Sequence, residues 1–175
     1  NLPVAHKPDS QEICFVPNDD YKTYLKEHVP DCLRAGDIVD VKGRVLGHHE
    51  GVPLYTIGQR KGLGIAAEHP LYVVQLDMQK NRVVVGGNED VFAAGLLAGD
   101  LNWIAMDTLA APMQVSAKIR YGNREGRAEV LPLPDGRVHV RFAEPQRAVT
   151  PGQSVVFYRG EQVVGGGIIE EALQN

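Results

Sequence analysis

Val115-Ser116-Ala117-Lys118-Ile119-Arg120-Tyr121 alternates apolar and polar side chains without a break. Successive side chains of an extended chain point to opposite faces. Val115, Ala117, Ile119 and Tyr121 therefore share one face, and Ser116, Lys118 and Arg120 the other. The pattern recurs downstream, where Ala128 and Val130 oppose Arg127 and Glu129. Beyond the Pro134-Asp135-Gly136 turn, Val138, Val140 and Phe142 alternate with Arg137, His139 and Arg141. Ser154 to Tyr158 and Gln162 to Val164 follow, joined by Arg159-Gly160-Glu161. Short strands separated by turn residues predict an antiparallel β-barrel over residues 114–175.

Upstream, residues 105–113 lack any period and read as a linker. Before them lies a second set of short strand candidates: Asp37 to Val41, Gly43 to His48, Leu71 to Leu76 and Arg82 to Val85. The last two pair naturally across Asp77-Met78-Gln79-Lys80-Asn81, and Leu96 to Ile104 closes the group. Residues 33–104 are thus expected to form a small, barrel-like central β domain. Within residues 19–28, Tyr21, Tyr24, Leu25 and His28 fall on one helical face, with Asn18 or Asp19 as cap. Residues 1–17 carry Pro3, Pro8 and Pro17 and no period, and read as an extended segment. The fold class is mainly β, with a leading loop and short helix over residues 1–32.

Apolar content of 43% and charged content of 23% fit a globular chain of one large or two small domains. No apolar run approaches the roughly 20 residues that span a bilayer, and no signal peptide is evident, so no membrane partner is expected. The chain starts at Asn1, which suggests a piece of a longer protein. Two cysteines, Cys14 and Cys32, are too few for a disulfide scaffold, and a reducing, cytoplasmic setting fits better. A disulfide between the two stays open. Net charge of −4 argues against nucleic acid in general and against DNA here. Its distribution softens the argument: residues 1–111 hold 10 Lys/Arg against 15 Asp/Glu, and residues 112–175 hold 8 against 7. The second part can still touch phosphates.

Four features bear on chemistry. Cys14 sits between Ile13 and Phe15 after a polar stretch. A reactive thiol needs thiolate character in an electropositive place, whereas Asp9 and Glu12 raise the pKa, so its neighbours alone favour a buried structural cysteine. Gly58-Gln59-Arg60-Lys61-Gly62-Leu63-Gly64 reads either as a phosphate-contacting loop or as a tight turn, and fits neither a P-loop nor a dinucleotide pattern. His48 and His49 are adjacent on a strand, so they face opposite sides and cannot share one metal ion; no metal site is expected. Arg120, Arg127, Arg137, His139 and Arg141 lie on polar phases, where a solvated barrel exterior is the ordinary reading. Trp103, Tyr55, Tyr72 and Tyr158 are expected to pack in the barrels.

One longer run sharpens this picture. Lys7-Pro8-Asp9-Ser10-Gln11-Glu12-Ile13-Cys14-Phe15-Val16 resembles the second-cysteine motif of the tRNA-specific 2-thiouridylases. The resemblance continues, in order, through Gly47-His48-His49-Glu50-Gly51, Tyr55 to Gly64, Ile119-Arg120-Tyr121 and Thr150-Pro151-Gly152-Gln153. It implies an enzyme that replaces the 2-oxygen of the wobble uridine of tRNA with sulfur. An amino-terminal domain of such enzymes adenylates that oxygen with ATP and Mg, and carries a first cysteine. The second cysteine, matched by Cys14, holds a persulfide. The first then attacks it to release sulfide, or forms a disulfide with it.

The resemblance further implies tRNA contacts at Arg120, Tyr121 and Gln153, and active-site support from Gln59, Arg60 and Lys61. A cysteine desulfurase or sulfur-relay protein would load Cys14. The last domain is expected to be similar to translation-factor barrels. No phosphate loop and no match to the first cysteine occur in this sequence, and Cys32 lies outside the motifs. The chain is thus expected to need no cofactor of its own and to be inactive alone. The alternatives are an RNA-binding or ribosome-associated β-barrel module with an inert cysteine, and a methyltransferase, which lacks support because no glycine-rich cofactor turn is present. Tyr121 either stacks on a base or packs inward as its alternation phase suggests.

Overall fold

The computed structural model describes Val16, residues 20–122 and residues 124–174. One helix, α1 (Tyr21–His28), precedes ten strands: β1 (Gly36–Asp40), β2 (Val45–His49), β3 (Tyr72–Asp77), β4 (Arg82–Gly86), β5 (Phe92–Trp103), β6 (Met113–Lys118), β7 (Gly126–Pro132), β8 (Val138–Arg147), β9 (Ser154–Arg159) and β10 (Gln162–Leu173). The chain is mainly β, as its alternation dictates.

The helix cap falls on Asp20, one residue past the expected position: its carboxylate accepts from the Thr23 amide at 3.0 Å and from the Thr23 hydroxyl. These bonds hold the Asp20 carboxyl below its ordinary pKa. No α1 residue is fully buried, and Tyr24 stacks on His28 with ring centroids 4.1 Å apart. The anticipated Tyr21–Tyr24–Leu25–His28 stripe therefore covers no core of its own.

Strands β1 to β4 form a four-stranded sheet in the order β2-β1-β4-β3. Two antiparallel hairpins, β1–β2 and β3–β4, meet along a parallel seam in which Ile38 lies opposite Val83. Ile38, Val73, Val83 and Val85 are fully buried on one side of this sheet, under Val52, Ile57 and Leu63 from the connection between β2 and β3. Asn81, at φ 51, turns the β3–β4 hairpin. It donates through its side chain to the Ala35 carbonyl at 2.8 Å, and its own carbonyl accepts from Nε2 of the buried His49 at 3.2 Å. The segment leading out of α1 is thereby fastened to the sheet.

Strands β5 to β10 close into a six-stranded barrel in the order β10-β5-β8-β7-β6-β9. Val115, Ala117, Val130, Val140 and Phe142 point inward on the predicted phase, and Val155 and Phe157 of β9 join them in the core. Trp103 stacks on Phe157 at 5.8 Å. Each large apolar side chain so buried contributes roughly 1.5–3 kcal/mol before entropy is counted. Gly166 belongs to β10 because a Cβ there would come within 2.6 Å of the Val155 carbonyl oxygen on the neighbouring strand.

Two expectations are corrected. Residues 96–104 do not close the first group: β5 pairs with β10 and β8 and is a wall of the barrel. The apolar run fits either unit by alternation, and only its partners decide. Residues 105–113 are not a linker between the units either. They join β5 to β6 within the barrel, Leu109 plugs its core, and Met113 already belongs to β6. A third difference is one of length. β10 runs on to Leu173, past the Val164 end expected from the sequence, because Gly165-Gly166-Gly167 masks the alternation.

The two units meet at a short strap after β8. Ala148, at φ 53, buries its methyl in the core of the four-stranded sheet, and its amide donates to the Val91 carbonyl at 2.8 Å. A Cβ on Gly58, itself at φ 86, would lie 3.1 Å from the Ala148 methyl. Replacing Gly58→Ala therefore adds left-handed strain and crowding together, and should destabilise the protein by about 1–2 kcal/mol in urea unfolding.

Candidate functional site

The strap continues as Val149-Thr150-Pro151-Gly152-Gln153, and this run builds the most distinctive cluster of the molecule. Val149 turns back into the barrel core. Gly152, at φ 85, turns the chain so that its amide donates to the Ile169 carbonyl while the Gln153 carbonyl accepts from the Ile169 amide, each at 2.8 Å. The Thr150 and Gln153 side chains are thus presented on a fixed backbone.

Arg120 reaches them from the opposite strand end. Its Nη2 donates to Thr150 Oγ1 at 3.0 Å, its Nε donates to Gln153 Oε1 at 3.3 Å, and the Thr150 hydroxyl passes the chain on to the Ala148 carbonyl at 3.0 Å. Both acceptors are neutral, so they orient the guanidinium without cancelling its charge. Two other exterior arginines differ. Arg137 is paired with Asp135 and Glu170, and Arg141 with Glu129. Asp135 is held below its ordinary pKa mainly by the Arg137 side-chain hydrogen bond. Those two arginines fit the solvated-exterior reading, and Arg120 does not.

Tyr121 does not pack inward. β6 ends at Lys118, Ile119 remains buried, and the chain turns, leaving Tyr121 78% exposed. The Lys118 ammonium sits 5.8 Å from its ring centroid. Arg120, Tyr121 and Gln153 line one open groove of about 390 Å³, so the structure brings this sequence-selected trio together. Lys118, against the Tyr121 ring, and Thr150, bonded to Arg120, adjoin the trio without lining the groove. Sequence reasoning left both unselected, although Lys118 lies on the outward phase of β6 and Thr150 within a quoted motif.

The second candidate, residues 58–64, is a turn with both ends anchored. Ile57 and Leu63 are buried, and Gly58, Gly62 and Gly64 all have positive φ. The Gly58 amide donates to the Val73 carbonyl at 2.8 Å and the Gln59 amide to the Thr56 carbonyl at 3.0 Å. Gln59 braces the loop: its Oε1 accepts from the Thr56 amide at 3.0 Å, and its Nε2 donates to the Lys61 carbonyl at 2.9 Å. The Gly58 and Gln59 amides are thus spent within the fold, and no adenylation step is assigned to the segment. Arg60 and Lys61 point outward and have no ion pair among the described residues. Arg60 lines an open groove of about 630 Å³ with residues 62–71, including Glu68 and His69.

Of the remaining candidates, His49 packs edge-on against Tyr55, while His48 is exposed and contacts Asp37 at 3.1 Å. Burial, with the Glu50 carboxylate nearby, raises the Tyr55 pKa. Cys32 is an exposed free thiol. Cys14 lies outside the described residues.

Two domain families match the chain. Residues 22–87 match a family described as the tRNA methyl transferase PRC-barrel domain, and residues 93–169 match the aminomethyltransferase beta-barrel domain. The break between them falls where the four-stranded sheet gives way to β5. Curated relatives carry one name throughout, tRNA-specific 2-thiouridylase MnmA. That of Acetivibrio thermocellus is 55% identical over 97% of this chain and 47% of its own length. That of Heliobacterium modesticaldum is 56% identical over 96% and 44%, and that of Symbiobacterium thermophilum 52% over 97% and 44%. The chain belongs to the tRNA-specific 2-thiouridylase family. It spans a little under half the length of these relatives.

In this chain the Gln59 brace is a checkable structural element. Gln59→Ala removes both of its bonds and leaves the Thr56 amide without its acceptor. Thermal melting should fall by about 2–4 °C, for a loss of about 1 kcal/mol, and the Thr56 amide should lose protection from hydrogen exchange.

Proposed function

We propose that this chain is the tRNA-docking and sulfur-carrying part of an enzyme that 2-thiolates the wobble uridine of tRNA, and that it works in the cytoplasm. The observation that carries the docking half is Arg120, held by neutral acceptors with no carboxylate paired to it among the described residues, in a groove beside an exposed tyrosine. A guanidinium has five N–H donors, of which Arg120 spends two on Thr150 and Gln153. The rest are available to a phosphate, where Arg binds as a fork. Tyr121 beside it offers a ring for a base. Gln153 both orients Arg120 and borders the groove.

Sulfur carriage belongs to Cys14. A desulfurase or relay protein would transfer sulfane sulfur to the thiolate and give Cys14–S–SH. The thiolate of the first cysteine, supplied by the rest of the enzyme, then attacks the Cys14 sulfur. The terminal sulfur leaves as sulfide, and the two cysteines are left as a disulfide that a cellular thiol must reduce. The sulfide adds to the uridine carbon whose oxygen has been adenylated with ATP outside this chain, and that oxygen departs with AMP as the C–O bond breaks. Family membership and the Lys7 to Val16 motif support this role.

The rival reading, a non-catalytic RNA-binding barrel with a structural cysteine, shares the groove and differs only at Cys14. The complete polypeptide with Cys14→Ser should produce no 2-thiouridine in tRNA while binding tRNA as tightly as the parent; undiminished thiolation supports the rival. Arg120→Met should weaken tRNA binding about fivefold and lower the slope of log affinity against log salt by about 0.9. An unchanged slope would remove Arg120 from the interface.

A further inference from the structure

The docking site and the 58–64 loop sit on different units, yet one short strap touches both. Arg147, the last residue of β8, lies opposite Phe92 in the barrel. Its guanidinium carbon is 5.8 Å from the Phe92 ring centroid and 5.1 Å from that of Tyr72, which belongs to β3 of the four-stranded sheet. Its Nη1 donates to Asn88 Oδ1 at 2.7 Å, on the short turn joining the units. No carboxylate pairs with Arg147 among the described residues. The next residue, Ala148, is buried in the sheet's core against Gly58, and Thr150, two further on, holds Arg120.

We infer that Arg147 is the positioning residue that locks the two units in one orientation, so that the Arg60–Lys61 loop and the Arg120 groove present a single, continuous surface to one tRNA. The second clause rests on the docking reading above; the first does not. The physical reason is the shape of the group. A guanidinium is flat, stacks on aromatic faces and keeps in-plane donors free, so one side chain can touch a ring from each unit and still bond the connecting turn. Two phosphate-binding patches on a rigid body bind one polyanion more tightly than the same patches on a loose joint, because the second contact is made at a higher effective concentration.

The experiment has two readouts on the 175-residue chain. For the first, spin labels are placed by Lys80→Cys on the sheet and Gln162→Cys on the barrel, in a background with Cys14→Ser and Cys32→Ser, and the distance distribution is measured. It should be narrow in the parent, broad in Arg147→Met and intermediate in Arg147→Lys, which keeps the charge but not the flat fork. For the second, binding of labelled tRNA is titrated over a range of salt. Arg147→Met should lose about tenfold in affinity with the salt slope of the parent, because both patches still engage through a looser joint.

An unchanged distance distribution in both variants overturns the proposal whatever the RNA does. A broadened distribution with a salt slope lowered by about 1 also overturns it, since Arg147 would then be a phosphate contact itself. If the parent chain binds no tRNA, the docking reading fails, and the locking role is decided by the distance distribution alone.

Discussion

The strap from Arg147 to Gln153 is the constraint on which the arrangement depends. Its successive side chains go to different places: Arg147 to a ring on each unit, Ala148 into the core of the sheet, Val149 into the core of the barrel, and Thr150 to Arg120. Such a run cannot be a regular strand, whose side chains would serve two faces in turn. It is therefore broken by a left-handed residue at Ala148 and by a glycine turn at Gly152. A non-glycine residue in that conformation costs on the order of 1 kcal/mol, which burial of the Ala148 methyl offsets at about 0.8 kcal/mol per apolar carbon.

That geometry also explains why Arg120 differs from Arg137 and Arg141. Arg137 and Arg141 lie on the regular outer face, where cross-strand and turn neighbours place carboxylates within reach, and their fields are largely cancelled. Arg120 lies just past the end of β6, where the facing chain is the strap. The strap offers a hydroxyl and an amide, and no acid. An oriented guanidinium beside neutral dipoles keeps its attraction for an anion, and it sits beside the one large aromatic side chain that the turn exposes. Charge and ring in one groove suit a nucleotide better than either a metal or a peptide carboxylate alone.

Much of the barrel was legible from alternation, because over Met113–Lys118, Arg127–Val130 and Val138–Phe142 the inward positions are apolar and the outward ones polar. The reading failed where that period is suspended. Gly165-Gly166-Gly167 conceals the middle of β10, and Tyr121 breaks phase because its strand ends three residues earlier. The allegiance of β5 was illegible for another reason: its residues are apolar enough to suit either unit, and only pairing with β8 and β10 assigns them. In the candidate site, Arg120, Tyr121 and Gln153 were reachable through family motifs. The neutrality of Arg120's partners and the role of Arg147 were not, since both depend on which side chains the strap brings together across large sequence separations.

The same logic extends to the amino-terminal side. α1 buries no side chain fully, and its Lys26–Glu50 pair is exposed to solvent, so neither supplies much hold. The firm attachment comes later, at Asn81, whose amide ties residues 34 and 35 to the β3–β4 hairpin while its carbonyl ties down buried His49. The path of the chain on the sheet is therefore set from residue 34 onward by a hydrogen-bonded turn rather than by packing of the helix. His49 belongs to the Gly47–Gly51 motif, so one recognised motif shares the Asn81 turn that anchors the segment leading out of α1. Its neighbour, the 58–64 loop, is braced by Gln59 and pressed against the strap. The motifs shared with the thiouridylases that fall on described residues are thus largely of one mechanical kind: they fix the path of the chain after α1 and where a few cations stand on the surface.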